Sequence, residues 1–368
     1  NYLHLIFVLY AALMLHLQIL QEEKYLTETF GEKYTEYKKH TGRYFIFDRT
    51  YSKKKTIIGM VSIVLCIALA VGGFAIYGGQ QMSKLPELTF NEALAYTTKN
   101  NPDAVITVGI IKDGQISYKV YGKNGEELPT EPHTYEIGSL TKTFTAALIN
   151  KAATEGKLNL DSTIDNYLSL PDGNEYPTIK ELLTHTSGYE GYYFESPMIF
   201  NFLVGRNDFY GITKESVLNK VSKLNMDKES YGFNYSNFGY AVLGLVLEAV
   251  YDTDYPMLVN DFVQNELGLK NTKISEKDGD LGDYWDWKYD DAYLSAGAIT
   301  SNITDMLAYA QMQLENNPYF AECHKSTKQI NATSASYASM GIRMDEIGLS
   351  WIIDNENGIV WHNGATGD

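Results

Sequence analysis

The alternation of hydrophobic and polar positions changes character twice along this chain. Tyr2–Leu20 and Thr56–Gly79 each run without an Asp, Glu, Lys or Arg. Uncharged stretches of this kind meet the roughly 20 residues that a helix needs to cross a bilayer. Both are expected as membrane-spanning helices, with a buried core helix as the alternative for each. Thr56–Gly79 begins too far from the N-terminus to read as a cleavable leader. From about Ser83 the pattern becomes that of a globular domain. Thr89 is placed to cap a helix running to about Asn100. The β-rich runs AVITVGII and QISYKVYG flank Asp113-Gly114, a strong hairpin signal. Helical periodicity follows at about 140–155, 178–184, 237–250, 255–267 and 302–314, and strand-like runs return at about 347–353 and 358–362. Strands at both ends of the domain with helices between them predict an α+β fold rather than a parallel doubly wound sheet. Internal repeats and low-complexity segments are absent from the sequence.

Charge orients this outline. Gln21–Lys55 is rich in Lys and Arg, and Lys53, Lys54 and Lys55 abut the second apolar run. By the positive-inside rule this linker is expected on the cytoplasmic side, with everything after about Gln80 outside the cytoplasm. The formal net charge of −16 argues against nucleic acid as a partner. Cys66 and Cys323 are the only cysteines, one in an apolar run and one far along in a polar segment, so no disulfide framework is expected. No CxxC or HExxH spacing occurs, and neither a metal nor another cofactor is expected. The chain starts at Asn1 and stops at Asp368 directly after a Gly-containing motif, so it reads as a fragment. The expected organisation is a membrane helix and basic linker over 1–55, a transmembrane helix over 56–80, and a C-terminally truncated domain over 84–368.

Three short elements could carry chemistry. In YEIGSLTK, Ser139 and Lys142 stand where an apolar helix begins. Three residues apart on a helix, they share one face about a turn apart, within reach of an amine for a hydroxyl. The helix N-terminus also favours negative charge developing nearby. Alone, the pattern is equally that of an ordinary capping serine. The second element is Tyr235-Ser236-Asn237, ahead of the helical run FGYAVLGLVLEAVY. A phenol beside a lysine can exchange protons with it, but Asn237 could instead cap the helix and Tyr235 could be core. The third is His362-Asn363-Gly364 after the strand-like GIVW, where a glycine would let backbone approach closely.

Together the three are far more specific than any one. Ser-x-x-Lys, then Tyr-x-Asn about 95 residues later, then His-x-Gly about 125 further on, match one pattern. Residues from about 90 to 368 resemble the beta-lactamase-related serine hydrolases, which include class C beta-lactamases and D-alanyl-D-alanine carboxypeptidases. The phrases LLTHTSG (Leu182–Gly188) and YLSAGAITSNITDMLAYA (Tyr293–Ala310) strengthen the likeness. The resemblance implies a serine beta-lactamase/transpeptidase-like fold, an antiparallel sheet flanked by helices plus a helical subdomain. It implies Ser139 as the acylated nucleophile, Lys142 as the acceptor of its proton, and Tyr235 as general base or proton relay. Asn237 would hold the substrate amide or the lysine, His362 would contact the substrate's polar end, and Gly364 and Ala365 would border the substrate. Backbone amides of Ser139 and Ala365 would form the oxyanion hole. The chain departs from class C beta-lactamases in carrying His-Asn-Gly where they have Lys-Thr-Gly, and a histidine is mostly neutral at pH 7. That moves the expected substrates from beta-lactams toward D-amino-acid peptides, esters and related amides, peptidoglycan-derived ones included. A catalytically silent penicillin-binding sensor or envelope scaffold is the alternative, and a beta-lactamase the second.

A separate resemblance concerns EEKYLTETFGEKYTEYKKHTGRYF (Glu22–Phe45), which is similar to the tail of isoprenylcysteine carboxyl methyltransferase-type membrane enzymes through Glu22-Glu23, Phe30-Gly31, Tyr34, Tyr37 and Arg43. That family's upstream helices and cofactor-binding histidine region are missing, so no S-adenosylmethionine site is expected. His185 is expected as a turn or packing residue. The acidic, aromatic DGDLGDYWDWKYDD (Asp278–Asp291) is expected as a solvated loop over the cleft.

Overall fold

The computed structural model describes residues 2–41, 72–73, 77, 85–226, 230–274, 284–315 and 317–366. Internal contacts divide the chain into two units, 1–81 and 82–368. In the first, a helix spans Tyr2–Phe30 and a second spans Glu32–His40 after a turn at Gly31. Lys38 pairs across the turn with the buried Glu23 at 2.5 Å. Among the described residues no helix is long and apolar enough to cross a membrane. The first expected crossing, Tyr2–Leu20, is the leading part of the first helix, whose side chains are described from Met14 onward. The second, Thr56–Gly79, lies outside the described residues apart from 72, 73 and 77.

The second unit opens with a Phe90–Thr98 helix. Thr89 and Glu92 close a capping box at its start, each satisfying an otherwise orphaned backbone N–H. The hairpin follows: β1 (Ile106–Lys112) pairs antiparallel with β2 (Gln115–Tyr121), Lys112 opposite Gln115. Asp113 and Gly114 both take positive φ, 52° and 74°, the conformation a two-residue hairpin turn requires. β3 (Glu127–Leu128) extends this sheet, and the Ile303–Leu314 helix packs against β1. A second sheet has the order β4-β6-β5, with β4 (Thr134–Glu136), β5 (Lys273–Ile274) and β6 (Ile299–Asn302). A third runs β10-β9-β8-β7, from β7 (Lys328–Gln329) and β8 (Glu346–Ile347) to β9 (Ile352–Asp354) and β10 (Ile359–Trp361).

The main core lies among the helices. The Thr141–Thr154 helix is buried on all sides except at Lys151, Ala153 and Thr154, so it is a core helix rather than an amphipathic surface one. Its apolar residues pack on the Asn237–Tyr251 helix and the short Leu294–Gly297 helix, and Phe144 stacks on Tyr309 at 4.1 Å between centroids. Its buried hydroxyls are all engaged: Thr143 donates to the Leu140 carbonyl, Thr145 to the Ser295 carbonyl, and Thr141 accepts from the Ile299 N–H. Such satisfaction is what permits threonines inside a core. A smaller core of Met344, Ile347 and Ile352 lies under the third sheet, with Phe233, Ile330 and Trp361 packed against it.

Several expectations change. The 255–267 run is α-helical only from Tyr255 to Asp261; Phe262–Glu266 is wound wider, with π geometry. The 347–353 run is two strands. Gly348 donates to the Trp351 carbonyl and Ser350 takes a φ of 76°, folding β9 back on β8. Helices at Pro197–Val204 and Lys214–Val221 were not foreseen. Of the Asp278–Asp291 segment, 278–283 falls outside the described residues, and the remainder is solvated only in part, at Asp286 and Lys288 to Asp290. Trp285 and Trp287 pack against the core, the Trp285 N–H donates to Glu136, and Asp291 is buried, accepting from the Gly211 and Lys288 N–H groups at 2.8 Å each.

Candidate active site

The site forms where β4 leaves its sheet. The Ile137 N–H donates to the Ile299 carbonyl at 3.0 Å, pinning the chain to β6 as it enters the 3₁₀ turn Gly138–Leu140. The Thr141–Thr154 helix starts directly after, and its N-terminal residue before the first turn, Leu140, offers no capping side chain. Ser139 is therefore not spent on capping, and its hydroxyl faces Lys142 one turn on. Lys142 is fully buried. Its Nζ lies 3.0 Å from Ser139 Oγ and donates to Asn237 Oδ1 at 2.7 Å and the Ala296 carbonyl at 2.7 Å. Burial holds its pKa well below the ordinary 10.5, because a desolvated ammonium loses its hydration. Two of these three partners are pure acceptors. A neutral amine keeps two N–H donors and one lone pair, so the donors go to Asn237 and Ala296 and the lone pair is left for the Ser139 O–H.

Asn237 is free for this task because it is not the cap. Ser236 caps the Asn237–Tyr251 helix, its Oγ accepting from the Gly239 N–H at 2.9 Å. Gly244 on that helix has no side chain to block Ser295, and a Cβ there would sit 2.5 Å from Ser295 Oγ. This close approach sets the Leu294–Gly297 helix where the Ala296 carbonyl reaches Lys142.

The Tyr235 ring lies 4.9 Å from Lys142 Nζ. Burial pushes its phenol up to about 12, against a hydrogen bond to Ser139 that acts the other way. At neutral pH it is a protonated phenol, able to give a proton rather than take one. Beneath it lies His185, fully buried, with ring centroids 4.5 Å apart. His185 Nδ1 accepts the Ser236 N–H at 3.0 Å, which fixes the proton on Nε2. Burial first, and the nearby Lys142 and His362 next, keep its pKa well below the usual value. His185 thus seats both Tyr235 and Ser236, more than the packing role its sequence context suggested. The Ala296 carbonyl and Ser236 were also missed, since one is a backbone atom and the other sat between two residues of apparent interest.

The third element closes the site. A Cβ on Gly364 would lie 2.1 Å from the Ile137 carbonyl oxygen and 3.2 Å from the Ser139 nitrogen. One on Gly138, whose φ is 50°, would lie 2.6 Å from the Ala365 carbonyl oxygen. Glycines at both positions allow the segment leaving β10 to lie this close to the Gly138–Leu140 turn, which brings the backbone of Ala365 beside that of Ser139. The His362 ring meets Trp351 edge-on at 6.4 Å, and its Nδ1 contacts the Asn363 carbonyl at 2.7 Å. Burial, then Lys142, pulls its pKa down to about 4, while the Asn363 contact opposes this, so His362 is neutral at pH 7. Ser139, Tyr235, His362 and Ala365 line one cleft of about 930 Å³ together with His185. Among the described residues, no group of three or more His, Cys, Asp or Glu is placed to hold a metal ion.

A family model described as Beta-lactamase matches residues 100–368. The chain belongs to the beta-lactamase family. Among curated relatives it is similar to Protein flp of Staphylococcus aureus strain MW2, 30% identical over 181 residues covering 45% of this chain and 34% of that protein. It is also similar to a Beta-lactamase of Providencia stuartii, 29% identical over 175 residues, covering 46% of this chain and 42% of the relative. The matched part thus spans less than half the length of either relative. Among solved structures, a beta-lactamase/D-alanine carboxypeptidase from Yersinia pestis complexed with citrate aligns with a TM-score of 0.59 at 19% identity, over 78% of this chain and 86% of that one. The fold is accordingly the serine beta-lactamase/transpeptidase-like α+β fold, and the chain is a member of a serine hydrolase family.

The glycine junction gives a direct test. Gly364→Ala is expected to push the strand off the nucleophile turn and slow acylation of Ser139 by about a hundredfold, the scale of a misplacement near 1 Å. Gly358→Ala, at a turn with open space around it, serves as the control for a general effect of removing a glycine. Stopped-flow acylation by an activated ester measures both, and equal rates for Gly364→Ala and the native chain would contradict the junction's role.

Proposed function

We propose that this protein is a hydrolase that works through an acyl-enzyme on Ser139, with D-amino-acid peptides, esters or related amides as substrates. The observation that carries this reading is the fully buried Lys142 amine, 3.0 Å from Ser139 Oγ, with its other two contacts fixed on Asn237 and Ala296. Ser139 Oγ attacks the carbonyl carbon while its proton passes to Lys142 Nζ. The oxyanion forms between the backbone N–H groups of Ser139 and Ala365, where each donor contributes about 3–4 kcal/mol. The bond to the leaving group breaks as that group takes a proton through Tyr235, whose protonated phenol suits a donor. Tyr235 is then reprotonated by Lys142. Water enters in the reverse sense, losing a proton to the same relay and releasing the acid from Ser139. Asn237 holds the lysine and borders the substrate amide, and His362 and Gly364 border its polar end. A neutral His362 offers no charge to a beta-lactam carboxylate, so efficient beta-lactam hydrolysis is not expected.

A fluorophosphonate probe is expected to label the native protein on Ser139 and to leave Ser139→Ala unlabelled; equal labelling would point instead to a catalytically silent binding protein. Tyr235→Phe is expected to lower kcat/KM for an ester by about 10²–10⁴, the range for a lost proton-transfer group. Lys142 acts as a base only when unprotonated, and burial depresses its pKa. The kcat/KM profile should therefore fall on the acid side as Lys142 takes up a proton, and reach its plateau well before pH 10.5.

The N-terminal segments fit an anchor for this domain at the cell membrane. The support is the uncharged run Thr56–Gly79 directly after Lys53–Lys55, a pattern in keeping with a cytoplasmic linker and a catalytic domain on the other side. In intact cells a membrane-impermeant thiol reagent is expected to modify Lys99→Cys on the domain surface and to spare Lys54→Cys. Modification of Lys54→Cys from outside would reverse the orientation.

A further inference from the structure

The cleft that holds Ser139 has an unusual wall. Phe233, Ala332, Ile342, Met344, Ile352 and Trp361 face it, two strands and two connections meeting around the smaller core of the third sheet. Trp361 is fixed there by its Nε1–H, which donates to the Arg343 carbonyl at 3.2 Å. Only two charged side chains line this cleft among the described residues, Arg343 and Asp354. Both already have partners. The Arg343 guanidinium is held by Asp345 at 3.2 Å and by Glu356 at 2.5 Å. Asp354 accepts from the backbone and side-chain amides of Asn357 at 2.8 and 2.7 Å. His362 and His185, the remaining titratable side chains beside the nucleophile, both carry no charge at pH 7.

An anion seated against such a wall would be stripped of water with only Arg343 for counter-charge, a cation already shared between Asp345 and Glu356, which costs far more than an apolar group would lose there. An apolar group gains instead from each methylene removed from water. We propose that the substrate is an uncharged ester or amide with a bulky apolar group, an aryl ring or branched alkyl chain, beside the scissile bond, rather than a peptide ending in a free carboxylate. This rests on Ser139 as the acyl-accepting nucleophile and narrows the substrates of that site. The reaction is balanced by water alone: the ester or amide bond breaks, the acyl carbon passes to Ser139 Oγ, the alcohol or amine leaves with a proton, and hydrolysis returns the acid.

The test compares N-acyl-D-alanyl-D-alanine, its C-terminal methylamide, and a series of N-acyl-D-alanine alkyl esters on the full chain. The methylamide is expected to exceed the free acid by about tenfold or more in kcat/KM. Within the ester series kcat/KM is expected to rise about three- to fourfold per added methylene until the cleft is filled. A free acid that is the best substrate, or a flat ester series, overturns the proposal. Ile359→Lys adds an ammonium at the exposed rim of the cleft and is expected to shift the ratio toward the free acid by about tenfold; an unmoved ratio counts against it as well. Fluorophosphonate labelling of Ser139 run in parallel separates two failures. Labelling with a preference for the free acid overturns this narrowing alone, whereas no labelling and no ester turnover overturns the acyl-enzyme reading beneath it.

Discussion

Everything at this site depends on the burial of one amine. A lysine side chain without water is costly in its charged form, and the structure answers that cost with three oxygen partners set around Lys142 Nζ. Two of them cannot donate, so a neutral Lys142 has a single place for its lone pair, the Ser139 hydroxyl. The geometry that makes the lysine tolerable in the core is thus the geometry that turns its lone pair toward Ser139. Removing either fixed partner would leave the amine free to turn away from Ser139, which makes Asn237 and the Ala296 carbonyl as consequential as the residues that touch substrate.

The fold serves to bring these partners together from distant parts of the chain. β6 pins Ile137 so that Ser139 enters its turn at one fixed angle. Ser236 takes over capping so that Asn237 is released to the lysine, and Gly244 lets the Leu294–Gly297 helix come close enough to offer a carbonyl. His185 supports this from below, its ring tilted against that of Tyr235 and its Nδ1 accepting the Ser236 N–H. The segment beyond β10 lies close against the Gly138–Leu140 turn because glycines stand on both sides of the contact. Small residues and backbone groups decide the positions, and the reactive side chains follow from them.

Much of this was legible in the order of residues. Apolar runs of helical length located the Thr141–Thr154, Asn237–Tyr251 and Ile303–Leu314 helices, the first two buried nearly all round, and the Asp113-Gly114 turn announced its hairpin through the one conformation it favours. The three spaced motifs identified the residues that meet in the cleft. What sequence could not reach were interactions without a local pattern. Asn237 was open between capping and binding until Ser236 proved to be the cap. The 347–353 run hides its turn because the left-handed position falls on Ser350, and its one glycine, Gly348, stands two residues earlier. Trp285 and Trp287 sit in an acidic stretch that reads as solvated, yet they are drawn into the core by their area. The cleft wall is assembled from positions as far apart as Phe233 and Trp361, each unremarkable on its own.

The central claim is that Lys142 rests as a neutral amine. Its direct measure is the NMR titration of the Lys142 ε-carbon in isotopically labelled protein, assigned by comparison with Lys142→Arg. The account predicts a midpoint well below the 10.5 of an exposed lysine. A midpoint at or above that value would mean an ammonium held in place by its three oxygens, and Lys142 could then not take the proton from Ser139.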